Sequence, residues 1–173
     1  MQIRRLLSDD AAAYQALRLA ALRDEPFAFG SSYEEEKDAL LGAVAQRLAP
    51  KPDHGFIGAF DGEQLVGTVA LGREGMAKLA HKAYIWGMVV APAWRRQGVA
   101  RALMTQMLGF ASTMPGIRQV NLCVNTRNDA ARRLYESLGF VAWGHERGSM
   151  LVDGELHDEL HMCRLLRETE TDH

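Results

Sequence analysis

The chain has 173 residues, of which 47% are hydrophobic and 24% charged, and 20 Lys and Arg face 22 Asp and Glu for a net charge of −2. These values suit one soluble domain over 1–173 with enough length for a core. They argue against general nucleic-acid binding, which calls for a basic domain. No apolar run is long enough for a membrane span, and residues 1–6 lack a signal-peptide pattern, so the expected setting is cytoplasmic without membrane attachment. Cys123 and Cys163 stand in apolar, strand-like contexts and read as buried reduced thiols. The six His residues show no zinc-site spacing, so no metal is expected.

Residues 2–7 read as a short edge strand. Asp9 or Asp10 can cap a helix running to about residue 23, with Tyr14, Leu17, Ala21 and Leu22 on its apolar face. A loop with Pro26 and Gly30 leads to a second helix over 33–48, stopped near Pro50 and Pro52. Strands over 55–60 and 64–71 flank an Asp61-Gly62 turn. Residues 83–90 form a central strand, apolar on both faces. A helix over 98–112 carries Val99, Leu103, Met107 and Phe110 on one stripe. A strand over 118–124 precedes a helix over 128–138 that ends at Gly139. Strands over 140–145 and 156–165 close the chain, with an Asp153-Gly154 turn before the last. This order predicts a mixed α/β sheet, antiparallel at first and crossing over through helices later. The glycine signatures of dinucleotide-binding and P-loop folds are missing.

Two stretches carry chemistry. The first is the run from Val89 and Val90 through Pro92, Trp94, Arg95, Arg96, Gln97 and Gly98 into the helix of Val99, Ala100 and Arg101. A strand enters a basic turn, and the turn opens into a helix with no Ser, Thr, Asp or Asn to cap it. The unpaired N–H groups there suit an anion such as a phosphate, or water. No Asp or Glu occurs from residue 75 to 128, while Lys78, Lys82, Arg95, Arg96, Arg101, Arg118 and Arg127 do. Such segregation can steer an anion at near-zero net charge; a stretch of buried sheet also holds few acids. The second stretch runs from Asn128 to Phe140. Asn128 and Tyr135 are seven residues apart and share a helix face, roughly 10 Å apart along the axis. Asn128 also reads as a plain N-cap and Tyr135 as core packing with Ala131, Leu134 and Leu138.

The motif Arg95-x-x-Gly98-x-Ala100 followed by Asn128, Tyr135 and Gly139-Phe140 resembles the GNAT superfamily of acyl-CoA-dependent N-acetyltransferases. The resemblance spans essentially the whole order of elements. It implies a mostly antiparallel sheet of about seven strands, flanked by about four helices and splayed between the fourth and fifth strands. A bulge near residues 86–88 would open a slot for pantetheine, with Gly87 compatible with it. Backbone groups of Met88, Val89 and Val90 would meet the acetyl and pantetheine groups. The turn from Arg95 and Arg96 through Gln97, Gly98, Val99, Ala100 and Arg101 would hold the pyrophosphate, and Asn128 and Tyr135 would flank the coenzyme. Arg96 stands where many relatives carry Gly, and is compatible with the turn only at negative φ. Tyr135 would be the general acid toward the departing thiolate. The cosubstrate is acetyl-CoA, and the acceptor an amine attacked directly in a ternary complex. An acyl-cysteine at Cys123 is disfavoured.

The general base has no obvious position, because the fourth strand lacks the Glu many relatives carry. Glu34, Glu35, Glu36, Asp158, Glu159, His81, His145 and a water relay are candidates. If Glu34 to Glu36 lines the site, it favours a small cationic acceptor; a protein amine remains open. The alternative is a non-catalytic acyl-CoA-binding module. Many relatives dimerise, which leaves a homodimer open.

Overall fold

The computed structural model describes residues 1–166; residues 167–173 of the expected domain lie outside the described residues. Seven strands form one sheet in the order β1-β2-β3-β4-β5-β7-β6. They are β1 (Gln2–Arg5), β2 (His54–Asp61), β3 (Gln64–Arg73), β4 (Lys82–Val90), β5 (Gln119–Asn125), β6 (Val141–Val152) and β7 (Glu155–Leu165). The helices are α1 (Ala11–Asp24), α2 (Tyr33–Glu36), α3 (Leu41–Leu48), α4 (Val99–Thr113) and α5 (Asp129–Ser137). Every neighbouring pair of strands is antiparallel except β4 and β5. This is the mixed, mostly antiparallel sheet expected, with five α-helices among the described residues where about four were expected. Among the described residues no helix is long and apolar enough to cross a membrane.

The extra helix comes from a break. Residues 33–48 do not form one helix, because Leu40 adopts an extended conformation (φ −66°, ψ 135°) between α2 and α3. The Ser32 hydroxyl accepts from the Glu35 N–H and the Glu35 carboxylate accepts from the Ser32 N–H, so α2 starts on a capping box. The restart at Leu41 then turns Val44 and Leu48 inward beside Tyr14 of α1. Asp10 does not cap α1 with its side chain. Its carboxylate instead accepts from both terminal nitrogens of Arg4, at 2.8 Å each, and from the Leu7 N–H.

The two larger of three apolar clusters lie on opposite faces of the sheet. α4 contributes Val99, Leu103, Met104, Met107, Leu108 and Ala111 to the larger, where Tyr135 and Phe140 join Val120, Leu122 and Val124 of β5. α1 and α3 cover the other face through Tyr14, Val44 and Leu48 against Phe56, Phe60 and Leu65. Alternation along β5 puts Leu122 and Val124 inward and turns Cys123 outward. The expectation of two buried thiols therefore fails: Cys123 is exposed and Cys163 only half-buried, both free. β6 runs seven residues past the expected end at 145, through register shifts at Ala142/Gly144 and Glu146/Met150 that absorb the extra residues.

Candidate active site

The opening in the sheet lies between β4 and β5. Their parallel pairing is confined to Lys82, Ala83 and Tyr84 opposite Gln119, Val120 and Asn121. Thr68 of β3 faces Val89 and Ala70 faces Trp86, so Val69 alone spans Gly87 and Met88. That is a bulge at the residues expected. Gly87 takes φ +62°, which an L side chain adopts only with strain. The bulge inverts the face alternation. Ile85 packs in the α4-side cluster, whereas Val89, four residues on, packs with Leu22 and Phe29 on the α1 side. A cleft of about 610 Å³ results, and Gly87, Met88, Asn128 and Tyr135 line it together with the loop residues Glu25, Phe29, Gly30 and Ser31.

The start of α4 takes an unusual turn. Arg96 sits at φ +59° and Gly98 at φ +81°. The negative φ required of Arg96 is thus not what forms; the side chain is exposed and the backbone takes the left-handed conformation that glycine takes without strain. No side chain caps the helix. Its first internal bond runs from the Ala102 N–H to the Gly98 carbonyl (3.0 Å), so the N–H groups of Val99, Ala100 and Arg101 point out of the helix end. The arginine side chains do less than their charge suggested. Arg95 donates to the Val90 carbonyl (3.0 Å) and pairs with Glu25 (2.9 Å), and Arg101 donates to Ser137 Oγ (2.8 Å). Gln97 donates to the Ala93 carbonyl. The turn leaves its backbone N–H groups and the exposed Arg96 side chain for an anion.

On α5, Asn128 caps the helix, Tyr135 packs in the core, and both line the cleft. Asn128 Oδ1 accepts from the Ala131 N–H (3.1 Å) as an N-cap, and Asn128 also lines the cleft. Tyr135 is 6% exposed, packs edgewise on Phe140 with centroids 6.0 Å apart, and reaches the cleft wall. Burial pushes its hydroxyl up to about 12, so it holds its proton throughout the neutral range.

Of the candidate bases, Glu159 lines the cleft; its carboxylate accepts from Ser149 Oγ at 2.5 Å. Glu34 pairs with Lys37, Glu35 caps α2, and Asp158 pairs with His145 (2.7 Å), and these three with His81, His145 and Glu36 are not among the cleft-lining residues. Glu36 is bound by Arg18. Burial works against the Glu36 carboxylate, yet the Arg18 hydrogen bonds and charge, with help from Ser31, hold its pKa below the ordinary range.

Sequence reasoning missed two features. Arg18 lies on the inward face of α1, 3% exposed, and lines the cleft. The spacing Ala11, Tyr14, Gln15, Arg18, Leu22 is a helical stripe, and it marks Arg18 as inward despite its charge. The second feature is a Cys–His–Glu chain across three strands. Cys123 Sγ lies 3.2 Å from His161 Nδ1, and His161 Nε2 lies 2.7 Å from Glu146 Oε2. A carboxylate accepts only, so Nε2 carries a proton, and in the neutral ring Nδ1 then presents its lone pair to the thiol. Packing around Sγ pushes the Cys123 thiol up, and the Glu159 and Glu146 carboxylates add to the shift. The loop that lines the cleft between α1 and α2 is held by residues of β5 and β7. Buried Asn125 donates to the Phe27 carbonyl (3.3 Å), and Phe27 stacks on His157 at 5.7 Å.

Residues 14–140 match the acetyltransferase (GNAT) family, and the chain belongs to it. It is 34% identical over 113 residues to the N-alpha-acetyltransferase RimI of Mycobacterium tuberculosis, covering 65% of this chain and 68% of that protein. Its fold is similar to that of a GNAT-family acetyltransferase from Streptococcus pneumoniae, with a TM-score of 0.85 at 22% identity over 96% of this chain and 99% of the other. It is also similar to yncA from Salmonella typhimurium, solved with its cofactor acetyl-CoA, with a TM-score of 0.80 at 19% identity over 100% and 98% of the two chains.

Proposed function

We propose that the protein moves an acetyl group from acetyl-CoA to a primary amine by direct attack within a ternary complex. The observation that carries this reading is the cleft between β4 and β5, with the bulge at Gly87 and Met88, the uncapped start of α4 and the buried Tyr135 around it. The backbone edge of Met88, Val89 and Val90 suits the amides of a pantetheine arm, which can pair with it as an added strand would. The N–H groups from Arg96 to Arg101 suit the pyrophosphate. One amide at Met88 or Val89 serves the thioester oxygen as charge gathers there. Asn128 flanks the coenzyme from the cap of α5.

A protonated amine has no lone pair, so a base is required. Glu159 fills that role in this reading: it lines the cleft, Ser149 engages only its Oε2, and a water stands between it and the amine where the gap requires one. The His161 Nδ1 lone pair faces the Cys123 thiol instead. Attack of the free amine on the thioester carbon forms the C–N bond, and collapse breaks the C–S bond. Tyr135 then gives its proton to the departing thiolate and regains one from the attacking nitrogen, which sheds its second proton as the amide forms, so the amide, the CoA thiol and one proton on the base remain. The raised pKa of Cys123 keeps that thiol neutral and a weak nucleophile, which favours direct attack over an acyl-cysteine.

Calorimetric titration with acetyl-CoA, with CoA and NADH as controls, tests the binding step, and thiol release over a panel of amines tests the transfer. Saturable micromolar binding of acetyl-CoA and amine-dependent thiol release are expected. Absence of binding at millimolar acetyl-CoA refutes the assignment; binding without release from any amine reduces the protein to a coenzyme-binding module.

A further inference from the structure

The buried guanidinium of α1 has one donor too many. Arg18 Nε and Nη2 donate to the two Glu36 oxygens at 3.2 and 2.9 Å, and its guanidinium carbon lies 4.8 Å from the Phe29 ring centroid. Nη1 is buried without a hydrogen-bond partner. Buried donors are nearly always paired, because an unmet one forfeits its hydration with nothing in return. The position of Nη1 is telling. A Cβ built on Gly87 would meet it at 3.7 Å, so the free donor stands at the β4 bulge. Arg18, Gly87, Met88 and His161 all line the one cleft.

We infer that this N–H anchors an oxygen of the acceptor, and that the acceptor is an α-amino carbonyl compound, in which a carbonyl carbon is bonded directly to the amine-bearing carbon. The inference rests on the acetyl-transfer reading and names its substrate class. Glu36 already balances the Arg18 charge, so the donor suits a neutral carbonyl as well as a carboxylate. Free α-amino acids and the N-terminal residue of a peptide both present this group. A polyamine does not: it brings only further ammonium groups toward a guanidinium. The acidic run that pointed to a cationic acceptor is already engaged, Glu34 by Lys37, Glu35 by the Ser32 N–H and Glu36 by Arg18.

The test compares kcat/KM of the wild-type protein for leucine, leucinamide, a leucine-initiated tripeptide, 3-methylbutylamine and spermidine. 3-Methylbutylamine is leucine without its carboxyl group. At least one carbonyl-bearing acceptor should exceed it by about tenfold or more, because a buried donor left unpaired penalises the analogue that lacks its partner. Leucine above the other two identifies a free amino acid as the source of the group; the tripeptide above leucine identifies a chain terminus. Arg18→Lys retains the charge opposite Glu36 but removes the Nη1 donor. It should shrink the preference to within about threefold while acetyl-CoA affinity holds. If that variant does not fold, the wild-type comparison decides alone. 3-Methylbutylamine or spermidine used as well as the leucine series overturns the inference and leaves acetyl transfer standing. Acetyl-CoA binding with no transfer to any of the five overturns the transfer reading and this inference with it.

Discussion

Replacing Tyr135 with Phe removes one hydroxyl from a 6% exposed ring and leaves its packing on Phe140 in place. Burial lifts that hydroxyl to about 12, against about 10 for a free tyrosine. The folded state therefore holds the proton more tightly than the unfolded state does. The matching stability is complete below pH 10 and lost as pH rises through 12, and two units correspond to about 2.7 kcal/mol. About 1.4 kcal/mol should be gone by pH 11. Urea unfolding of both proteins at pH 9 and pH 11 isolates this contribution, since other alkaline titrations are shared. Parallel pH dependences would refute the burial argument. The same substitution reports on chemistry. At pH 8 a group titrating near 12 is ionised in about one molecule in ten thousand, so the wild-type hydroxyl is available as a donor. Its loss should lower kcat by about 10²–10⁴, equivalent to about 2.7–5.4 kcal/mol, with acetyl-CoA affinity nearly unchanged. A variant within about threefold of wild-type kcat would remove Tyr135 from the mechanism.

Asn128→Ala removes the cap on the Ala131 N–H and should cost about 1 kcal/mol, seen as a melting temperature lower by about 2–4 °C. Glu36→Gln leaves the Arg18 charge buried without its partner and should cost about 3–5 kcal/mol in urea unfolding. Glu34→Gln, on an exposed carboxylate, is the control and should stay within about 0.5 kcal/mol. Gly98→Val meets no neighbour within 4 Å but must hold φ +81°, so it should cost about 1–2 kcal/mol from backbone strain alone. Calorimetry should also show weaker acetyl-CoA binding, and unchanged affinity would mean that the turn is not the pyrophosphate site.

The legible parts of this protein are those set by local backbone chemistry. Gly87 marked the bulge, Gly98 the start of α4, Asn128 the cap of α5 and Gly139 its end, because each meets a conformational need readable within a few residues. The helix over 33–48 was misread because neither Gly nor Pro stands at its break. Leu40 is extended there although its side chain is exposed, and the break lets α3 lay Val44 and Leu48 against Tyr14 of α1. Cys123 was misread through its neighbours, although strand parity opposes it to Leu122 and Val124. The contacts among Cys123, His161 and Glu146 depend on the register across β5, β7 and β6, which no local pattern encodes. The φ of Arg96 shows the converse. The turn into α4 holds Arg96 at φ +59° against the ordinary preference of that residue.

The short ladder between β4 and β5 also has a mechanical meaning. Within the sheet, strands β1 to β4 form one leaf and β5 to β7 another, and three residue pairs at one end stitch them together. Pulled apart across that seam, the leaves would part like a zipper already mostly open. A molecule bonded to the free edges of both strands would add rungs where the ladder stops and raise the force needed to open it. Rupture force along this axis would then act as a gauge of occupancy.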